Sequence, residues 1–504
     1  MTTTQPALRP TAEQQAIIDA CRDGHDLVIE AGAGTGKTST LKMASRSMRG
    51  AGLYLAYNKV TAVEAKAAFP DTVDCRTAHS LAFHAVGRRY TGRMDTARQT
   101  GRDLADILGV HRGVTLDTAG LVKLGRGQLA RLGVATVSQF CMSARREITV
   151  ADVPAVNGVE GDAREVLQRL VLPIARTAWE DLQHDDRSGR GRLRFLHDHY
   201  LKLWQLTGPR LPVDYLLFDE AQDANPVIEA VVRAQGHLQT VAVGDSCQQL
   251  YAWRGAVDAL SRFDADLRLY LSQSWRFGTE IADEANKWLT VAGATMRLVG
   301  APGQRGRIGE ISGWPAAILC RSNAETVRQA LAGLAAGLRV AIAGGGTSIR
   351  GLAVACLELK DGRGTSHPEL FAFNTWGEVQ DYVEEADDAG ELRTFVTLID
   401  EHGAEEVIAA MDQLVDEEPA RRGRGYSGRP WSAPDVVVST GHKAKGREWQ
   451  SVRIGDDFQE PVEADGRPAP ISRADANLAY VAVTRARREL DRGPLAYIDG
   501  RVGA

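Results

Sequence analysis

The chain has 504 residues, 44% of them hydrophobic and 25% charged, with a formal net charge of −5. This length exceeds one ordinary hydrophobic core, and the negative balance restricts any contact with nucleic acid to local patches. No apolar run approaches the roughly 20 residues of a membrane span, and the N-terminus lacks the features of a secretion signal, so we expect a cytoplasmic protein without membrane contact. Six scattered cysteines without a C-x-x-C pair argue against zinc, an iron–sulfur cluster or a disulfide framework.

Short apolar segments alternate with helical patterns along the chain. In the first half they occupy residues 27–29, 53–55, 215–218, 240–243 and 267–270. In the second half they occupy residues 317–320, 436–439 and 452–454. Such alternation predicts an α/β protein in which two parallel sheets are covered by helices.

Two segments interrupt the strand pattern. The first, 88–200, has mainly helical patterning, and residues 85–150 carry eleven Lys or Arg against five Asp or Glu. The second is 351–431, in which residues 376–420 carry fifteen Asp or Glu and one Arg. The Gly- and Arg-rich stretch that follows, 421–430, is typical of a flexible linker.

A glycine-rich loop follows the first apolar segment and leads into a helical stretch. Residues 31–40 read AGAGTGKTST and fit the pattern A/G-x-x-x-x-G-K-[S/T]. Unpaired backbone N–H groups at such a helix start attract phosphate oxygens. The pattern predicts that Lys37 meets the β and γ phosphates and that the Thr38 hydroxyl ligates Mg²⁺. A chance match in a Gly- and Thr-rich turn is the alternative for the loop alone.

An acidic pair ends a later apolar strand. Residues 215–223 read YLLFDEAQD, which places Asp219 and Glu220 at the carboxyl edge of the sheet, near the loop. Asp219 is a candidate metal ligand, and Glu220 is a candidate general base that orients and deprotonates water. An isolated acidic pair at a strand end is often merely solvated. Together with the loop, the pair predicts ATP hydrolysis with Mg²⁺.

The remaining motifs add polar and aromatic residues at strand ends. They are, with their positions, TAEQQAII (11–18), YNK (57–59), TAHSLAF (77–83), AVGDSCQQLYAWRGA (242–256), LSQSWRF (271–277), STGHKAKGREW (439–449) and NLAYVAVTRARREL (477–490). In this order they resemble the motifs of superfamily 1 helicases of the UvrD/Rep type, most closely the F-box DNA helicase branch. The motif resemblance covers the motor region and neither insertion.

The resemblance implies two RecA-like lobes, each with an inserted, mainly helical subdomain. The first lobe is expected at 1–87 and 201–275, with its insertion at 88–200. The second is expected at 276–350 and 432–504, with a short acidic insertion at 351–431.

The resemblance also implies roles at the nucleotide. Gln14 or Gln15 corresponds to the glutamine that reads adenine, Trp275 to the aromatic residue that stacks on the base, and Glu448 to a residue that touches the ribose. Arg276 and Arg485 correspond to arginines that contact the γ phosphate, and Gln248 to the residue that senses it. The loop residues expected at ATP, besides Lys37 and Thr38, are Ala33, Gly34, Thr35, Gly36 and Ser39.

For DNA, the resemblance implies a single strand bound by stacking and backbone contacts. Tyr251 and Trp253 are candidate stacking platforms, since stacking contributes about 1–3 kcal/mol per base without choosing sequence. The other candidates for contact with the strand are Tyr57, Asn58, His79, Arg254, His442 and Lys443. Core packing for Trp253, a structural hydrogen bond for His79 and simple solvation for Lys443 remain open alternatives.

Two positions depart mildly from the family pattern, namely Ser274 in place of asparagine and Arg447 in place of an apolar residue. The implied function is an ATP-dependent helicase and translocase that moves 3′ to 5′ on single-stranded DNA and at junctions between single and double strands. Alternatives are a translocase that clears recombinase filaments with little unwinding, and a nucleotide-switched subunit of a repair or phage-defence complex. We expect a monomer or weak oligomer, and the acidic residues 376–420 either dock a basic protein or shield the motor from unproductive binding.

Overall fold

The structure is a computed structural model. It describes residues 9–117, 121–156, 159–250, 259–365, 367, 369–370, 373, 375–385, 390–417, 433–463 and 465–502. The chain divides into two compact units, the first comprising Met1–Ala31 and Lys37–Leu271, the second Gly32–Gly36 and Ser272–Ala504. The five loop residues Gly32–Gly36 are thus grouped with the second unit.

The first unit contains eight strands within the described ranges. They are β1 (Leu27–Ala31), β2 (Gly52–Ala56), β3 (Val73–Thr77), β4 (Val114–Asp117), β5 (Leu121–Leu124), β6 (Tyr215–Phe218), β7 (Gln239–Gly244) and β8 (Leu267–Leu271). Six of them form a sheet in the order β3-β2-β6-β7-β1-β8, and every neighbouring pair in it is parallel. The carboxyl ends of β1, β6 and β7 therefore lie at one edge of this sheet.

Helices cover both faces of this sheet. Their bounds are α1 (Ala12–Arg22), α2 (Lys37–Ser45), α3 (Lys59–Ala68), α4 (Ala78–Ala85), α5 (Thr91–Met94), α6 (Gly101–Ile107), α7 (Arg126–Met142), α8 (Gly161–Gln183), α9 (His197–Leu206), α10 (Pro226–Arg233) and α11 (Ala259–Arg262). One core cluster packs α1 to α3 against the sheet through residues such as Ile17, Leu41 and Tyr54. A second cluster joins the opposite face to the insertion through Phe140, Leu201 and Phe218.

The insertion of the first unit is mainly helical, and it also contains the antiparallel pair β4–β5. The long helices α7 and α8 pack together through buried side chains that include Val137 and Val171. Arg93 is buried beside the C-terminal end of α8. Its guanidinium lies 3.1 Å from an Asp186 carboxylate oxygen and donates to the backbone oxygen of Leu193 at 3.4 Å. The insertion is therefore a packed part of the first unit.

The second unit contains a second six-stranded sheet. Its strands are β9 (Arg307–Ile308), β10 (Ala317–Cys320), β11 (Val340–Ile342), β12 (Val436–Thr440), β13 (Trp449–Ile454) and β14 (Ala486–Asp491). They are ordered β11-β12-β10-β13-β14-β9, and all neighbouring pairs are parallel. Because each unit carries one such sheet, the predicted α/β class with two RecA-like lobes is confirmed.

Eight helices complete the second unit within the described ranges. They are α12 (Thr279–Val291), α13 (Asn323–Ala335), α14 (Thr347–Lys360), α15 (Trp376–Glu385), α16 (Gly390–His402), α17 (Ala404–Gln413), α18 (Arg473–Val483) and α19 (Asp499–Val502). Val379, Phe395 and Val407 bury apolar side chains in the same core as strand residues Ile318 and Val438. The acidic insertion is thus folded onto the sheet through its apolar faces. In the part of the chain that the structure describes, no helix is both long and apolar enough to cross a membrane.

Candidate nucleotide site

The glycine-rich loop occupies the turn from β1 to α2. Gly34 and Gly36 have φ values of 74° and 80°, in the left-handed region where a side chain would be strained. Lys37 is the first residue of α2, so the loop delivers the lysine to the start of a helix. Within the second unit, with which Gly34 is grouped, the Trp275 backbone N–H donates to the Gly34 oxygen at 2.8 Å.

The first unit brings the acidic pair to this lysine. The Lys37 ammonium lies 3.2 Å from a Glu220 carboxylate oxygen. Burial lowers the pKa of Lys37, but the carboxylates of Glu220, Asp245 and Asp219 outweigh this effect, and the pKa lies above its ordinary value. Lys37 is therefore a firmly charged ammonium in a pocket of carboxylates, as a residue that meets phosphate oxygens needs to be.

One carboxylate oxygen of Asp219 accepts hydrogen bonds from two hydroxyl groups. The Thr38 hydroxyl donates to Oδ2 of Asp219 at 3.1 Å, and the Tyr54 hydroxyl donates to the same atom at 2.5 Å. Burial raises the pKa of the Asp219 carboxyl, and the nearby Glu220 raises it further. A hydroxyl and a carboxylate oxygen this close form the hard oxygen set that Mg²⁺ uses together with phosphates and water. Thr38 and Asp219 therefore fit the predicted metal.

Glu220 has an unusual backbone conformation. Its φ of 50° is the only positive value among the non-glycine residues that the structure describes. The backbone N–H of Glu220 donates to Oδ1 of Asp219 at 2.9 Å, and Gln222 donates to Oε2 of Glu220 at 2.6 Å. A left-handed non-glycine residue costs about 1–3 kcal/mol and persists only where neighbouring contacts enforce it. Such strain is common at functional sites, which is consistent with the role predicted for Glu220.

The two glutamines expected near adenine differ in their surroundings. Gln14 is buried, its Nε2 donates to the Thr40 hydroxyl at 3.1 Å, and its Oε1 accepts the Thr11 N–H at 3.0 Å. Gln15 is exposed and donates to Asp19 at 3.1 Å. Gln14 also completes the capping box of α1. Both glutamines remain candidates for contact with adenine.

The second unit brings together four of its predicted residues. The Arg276 Nε donates to Glu448 at 2.7 Å, and its Nη1 donates to the Thr484 carbonyl at 3.1 Å. Arg485 follows directly and is buried, with its Nε 2.9 Å from the Val481 carbonyl. Trp275, beside Arg276, is 44% exposed. An aromatic face, a carboxylate and two guanidinium groups are therefore clustered within this unit.

The two residues that depart from the family pattern each contact another residue of the second unit, one through a hydrogen bond and one through an ion pair. Ser274 is buried, and its hydroxyl oxygen accepts the Arg276 backbone N–H at 3.3 Å. Arg447 forms an ion pair with Glu417 at the end of the acidic insertion. Serine therefore still supplies a hydrogen-bond acceptor beside Arg276.

Candidate DNA contacts of the first unit lie near a cavity. This cavity, about 370 Å³ in volume, is lined by Tyr57, His79, Asp198 and Glu220, among others. The His79 Nε2 lies 3.4 Å from Asp198, and this contact lowers the pKa of the Asp198 carboxyl. The structural hydrogen bond considered for His79 thus exists, and contact with DNA stays a prediction. Tyr57 is exposed.

The other DNA candidates are placed as follows. The Asn58 side chain caps α3 by accepting the Thr61 N–H at 2.9 Å. His442 and Lys443 are partly buried, and burial lowers the pKa of Lys443. The remaining three candidates, Tyr251, Trp253 and Arg254, lie outside the described residues.

Sequence reasoning missed two buried side chains at this site. Tyr54 lies within an apolar strand, where a tyrosine is usually read as core, so the sequence carried no signal of its hydrogen bond to Asp219. Gln222 lies inside the quoted acidic motif, and a polar residue two positions after Glu220 was a usable signal. Gln248, which was predicted, donates to Asp245 at 2.7 Å.

Comparison with known proteins agrees with the nucleotide site that this geometry indicates. A family model described as an AAA domain matches residues 13–254. Over 509 residues, the chain is 30% identical to F-box DNA helicase 1 of Gallus gallus, covering 95% of this chain and 48% of the relative. Over 511 residues, it is 26% identical to F-box DNA helicase protein 1 of Schizosaccharomyces pombe, covering 95% of this chain and 57% of the relative.

The family model and both relatives confirm the resemblance that the motifs indicated, to superfamily 1, UvrD-like helicases and to their F-box DNA helicase branch. Alignments that cover 95% of the chain extend beyond the motif blocks into both insertions, whereas the motifs themselves lie in the motor region. The chain spans about half the length of the curated relatives it matches.

Proposed function

We propose that this chain is an ATP-dependent DNA helicase and translocase that moves 3′ to 5′ on single-stranded DNA, in repair, recombination or replication. The observation that carries the proposal is the convergence of Lys37 with Glu220 and of Thr38 with Asp219, at 3.2 and 3.1 Å. The relatives that are named DNA helicases support DNA as the track. The direction of movement rests on the motif resemblance.

The chemistry follows from these side chains. Lys37 neutralises charge on the β and γ phosphates, and the Thr38 hydroxyl and Asp219 carboxylate would hold Mg²⁺, which supplies further charge neutralisation when bound. Glu220 orients a water molecule and accepts its proton as the water oxygen bonds to the γ phosphorus. The bond from the γ phosphorus to the bridging oxygen breaks, and its electron pair leaves with ADP.

In this proposal, residues of the second unit also contact the nucleotide. Arg276 and Arg485 contact the γ phosphate, Trp275 stacks on the adenine base and Glu448 contacts the ribose, as the resemblance implies. The clustering of Arg276 with Glu448 at 2.7 Å supports a shared role for these two residues. Guanidinium groups directed at a γ phosphate distinguish ATP from ADP, which makes movement depend on hydrolysis.

The experiment that tests the proposal is steady-state ATPase activity with and without single-stranded DNA, followed by unwinding of matched 3′-tailed and 5′-tailed duplexes. We expect stimulation by the single strand and unwinding of the 3′-tailed substrate. A filament-clearance assay run beside it separates a helicase from a translocase that only removes protein. ATPase activity that ignores DNA, or preference for the 5′ tail, would contradict the proposal.

A further inference from the structure

Gln222 connects two strand ends of the first unit. Its side chain is fully buried, and it lies two residues after the acidic pair that follows β6. Its Nε2 donates to Oε2 of Glu220 at 2.6 Å, and its Oε1 accepts the Asp245 backbone N–H at 3.1 Å. Asp245 follows the last residue of β7. One amide therefore joins the candidate general base to the end of the neighbouring strand.

The orientation of this amide is fixed by its neighbours. Glu220 offers a carboxylate, which only accepts hydrogen bonds, and the Asp245 backbone offers an N–H, which only donates. A flipped amide would place oxygen against oxygen at Glu220 and nitrogen against the N–H of Asp245, so both contacts would be lost. The assignment of the Gln222 nitrogen and oxygen follows from this complementarity.

Gly244 provides the space for Gln222. A Cβ atom built on Gly244 would lie 2.1 Å from Oε1 of Gln222, far inside van der Waals contact, and 2.9 Å from a Leu260 methyl carbon. Gly244 itself is the last residue of β7. The absence of a side chain at this strand end allows the Gln222 oxygen to reach the Asp245 N–H.

The hydrogen-bond path continues beyond Asp245. Its Oδ2 accepts from Nε2 of Gln248 at 2.7 Å, and its Oδ1 accepts the Cys247 N–H at 3.1 Å. Asp245, Gln222 and Gln248 are all buried. Gln248 is the residue expected to sense the γ phosphate. Glu220 and Gln248 are thus the two ends of one buried path that passes through Gln222 and Asp245.

The two carboxylate oxygens of Glu220 meet different partners. Lys37 lies 3.2 Å from Oε1, whereas Gln222 binds Oε2. When Lys37 turns to phosphate oxygens, Gln222 still holds the other oxygen, and this hydrogen bond keeps the carboxylate from rotating. A base held in one orientation deprotonates water more effectively than a rotating one, because the reactive geometry is already formed.

We propose that Gln222 is a positioning residue for ATP hydrolysis, which holds Glu220 in its basic orientation and couples it to Asp245 and Gln248. This role rests on the proposed ATPase function. It acts through Glu220 and requires no contact between Gln222 and ATP. Its expected signature is therefore a lower kcat with an unchanged KM for ATP.

The test replaces Gln222 with a side chain of similar shape that lacks the amide. In Gln222→Met we expect kcat to fall about ten- to hundredfold, as for loss of a hydrogen bond to a charged group, with unchanged KM and unchanged binding of a fluorescent ATP analogue. The matched control is Gln235→Met. Gln235 is another buried glutamine of the same unit, which accepts the Leu211 N–H and donates to the Pro209 carbonyl.

A further arm separates positioning from folding. Gly244→Ala displaces the Gln222 amide, so combining it with Gln222→Met should lower kcat little further than either change alone. Equal kcat losses in Gln222→Met and Gln235→Met would overturn the role. A wild-type chain without ATPase activity would instead overturn the proposed function, and this role with it.

Discussion

At the scale of single residues, the charged groups of the candidate nucleotide site interact through a small number of side-chain atoms. Oδ2 of Asp219 accepts hydroxyl groups from Thr38 and Tyr54, while the ammonium of Lys37 lies against Glu220. Each of these groups is at least partly withdrawn from water, so a lost partner leaves a costly unpaired charge. Single substitutions should therefore have large and separable effects on catalysis and on stability.

The first prediction separates binding from chemistry. Lys37→Ala should abolish ATP hydrolysis, because the ammonium that meets the phosphates is lost. Glu220→Gln should still bind ATP but hydrolyse it about 10²–10⁴-fold more slowly, since only the base is removed. Single-turnover hydrolysis and equilibrium ATP binding check the pair. Normal turnover in Glu220→Gln would remove this residue from the general-base role.

The second prediction concerns Tyr54, which donates to a buried carboxylate. Tyr54→Phe keeps the ring and loses the hydroxyl, so we expect the free energy of unfolding to fall by about 1.5–3 kcal/mol, as for a hydrogen bond to a charged group. The control is Tyr90→Phe, which removes a hydroxyl that donates to the Gln183 carbonyl at 3.0 Å. Its neutral acceptor predicts a loss of about 0.5–1.5 kcal/mol. Chemical denaturation measures both, and a larger loss in the control would contradict this account.

At the scale of elements, buried polar groups as well as apolar packing stabilise α9 and its contact with the segment that follows α7. Lys202 of α9 is fully buried, and its ammonium donates to the Ser143 carbonyl at 2.8 Å. Burial lowers the pKa of Lys202 to about 8. His199, one turn earlier on α9, accepts the Leu196 N–H at 3.0 Å through Nδ1 and caps the helix as a neutral ring.

The third prediction follows from His199. Burial lowers its pKa, Asp198 opposes this and Arg93 adds to it, and the resulting pKa is about 4. The unfolded chain binds this proton near pH 6.5 and the folded chain near 4, so stability is lost as pH falls through that window, by about 3 kcal/mol in full. Thermal unfolding between pH 7.5 and 5 should show a decline that is smaller in His199→Gln, which does not titrate and can still accept the N–H. An equal decline would contradict the assignment.

At the scale of the whole molecule, each unit carries a six-stranded parallel sheet and one insertion of distinct charge. The acidic insertion of the second unit buries Val379 and Phe395 in the core. Deleting residues 376–420 would therefore expose apolar surface. The effects of lost charge and of lost folding could then not be told apart. Neutralising exposed carboxylates is the cleaner test of whether this segment shields the motor from unproductive DNA binding.

The fourth prediction uses this design. Neutralising exposed acids should tighten binding to duplex DNA several-fold at low salt, because carboxylates repel phosphates, and the gain should shrink as salt rises. The variant changes the following residues to their amides: Asp381, Glu384, Glu405 and Glu406, all of which are exposed. The control changes four exposed acids of the other insertion: Glu160, Asp162, Glu165 and Glu180. Equal tightening in both variants would show a general effect of net charge instead.

Sequence patterns located the strands with apolar side chains on both faces. The buried strands β1, β6, β7, β10 and β12 were predicted because both of their faces are covered, which leaves a continuous apolar run. The strands that were missed are mostly short or contain exposed polar residues; they are β3, β4, β5, β9, β11 and β14. In β14, for example, Arg487 and Arg488 are exposed between buried Ala486 and half-buried Glu489. Periodicity alone does not distinguish such a strand from a loop.

The sequence by itself determined the order of the motifs, the class of the fold and the candidate groups for binding a nucleotide, because these are properties of local pattern. Only the tertiary structure decided that Tyr54 and Thr38 share one oxygen of Asp219, and that Gln222 joins Glu220 to Asp245. These contacts link residues on different strands and helices. Their distances are set when parallel strands register side by side, and spacing along the chain does not encode them directly.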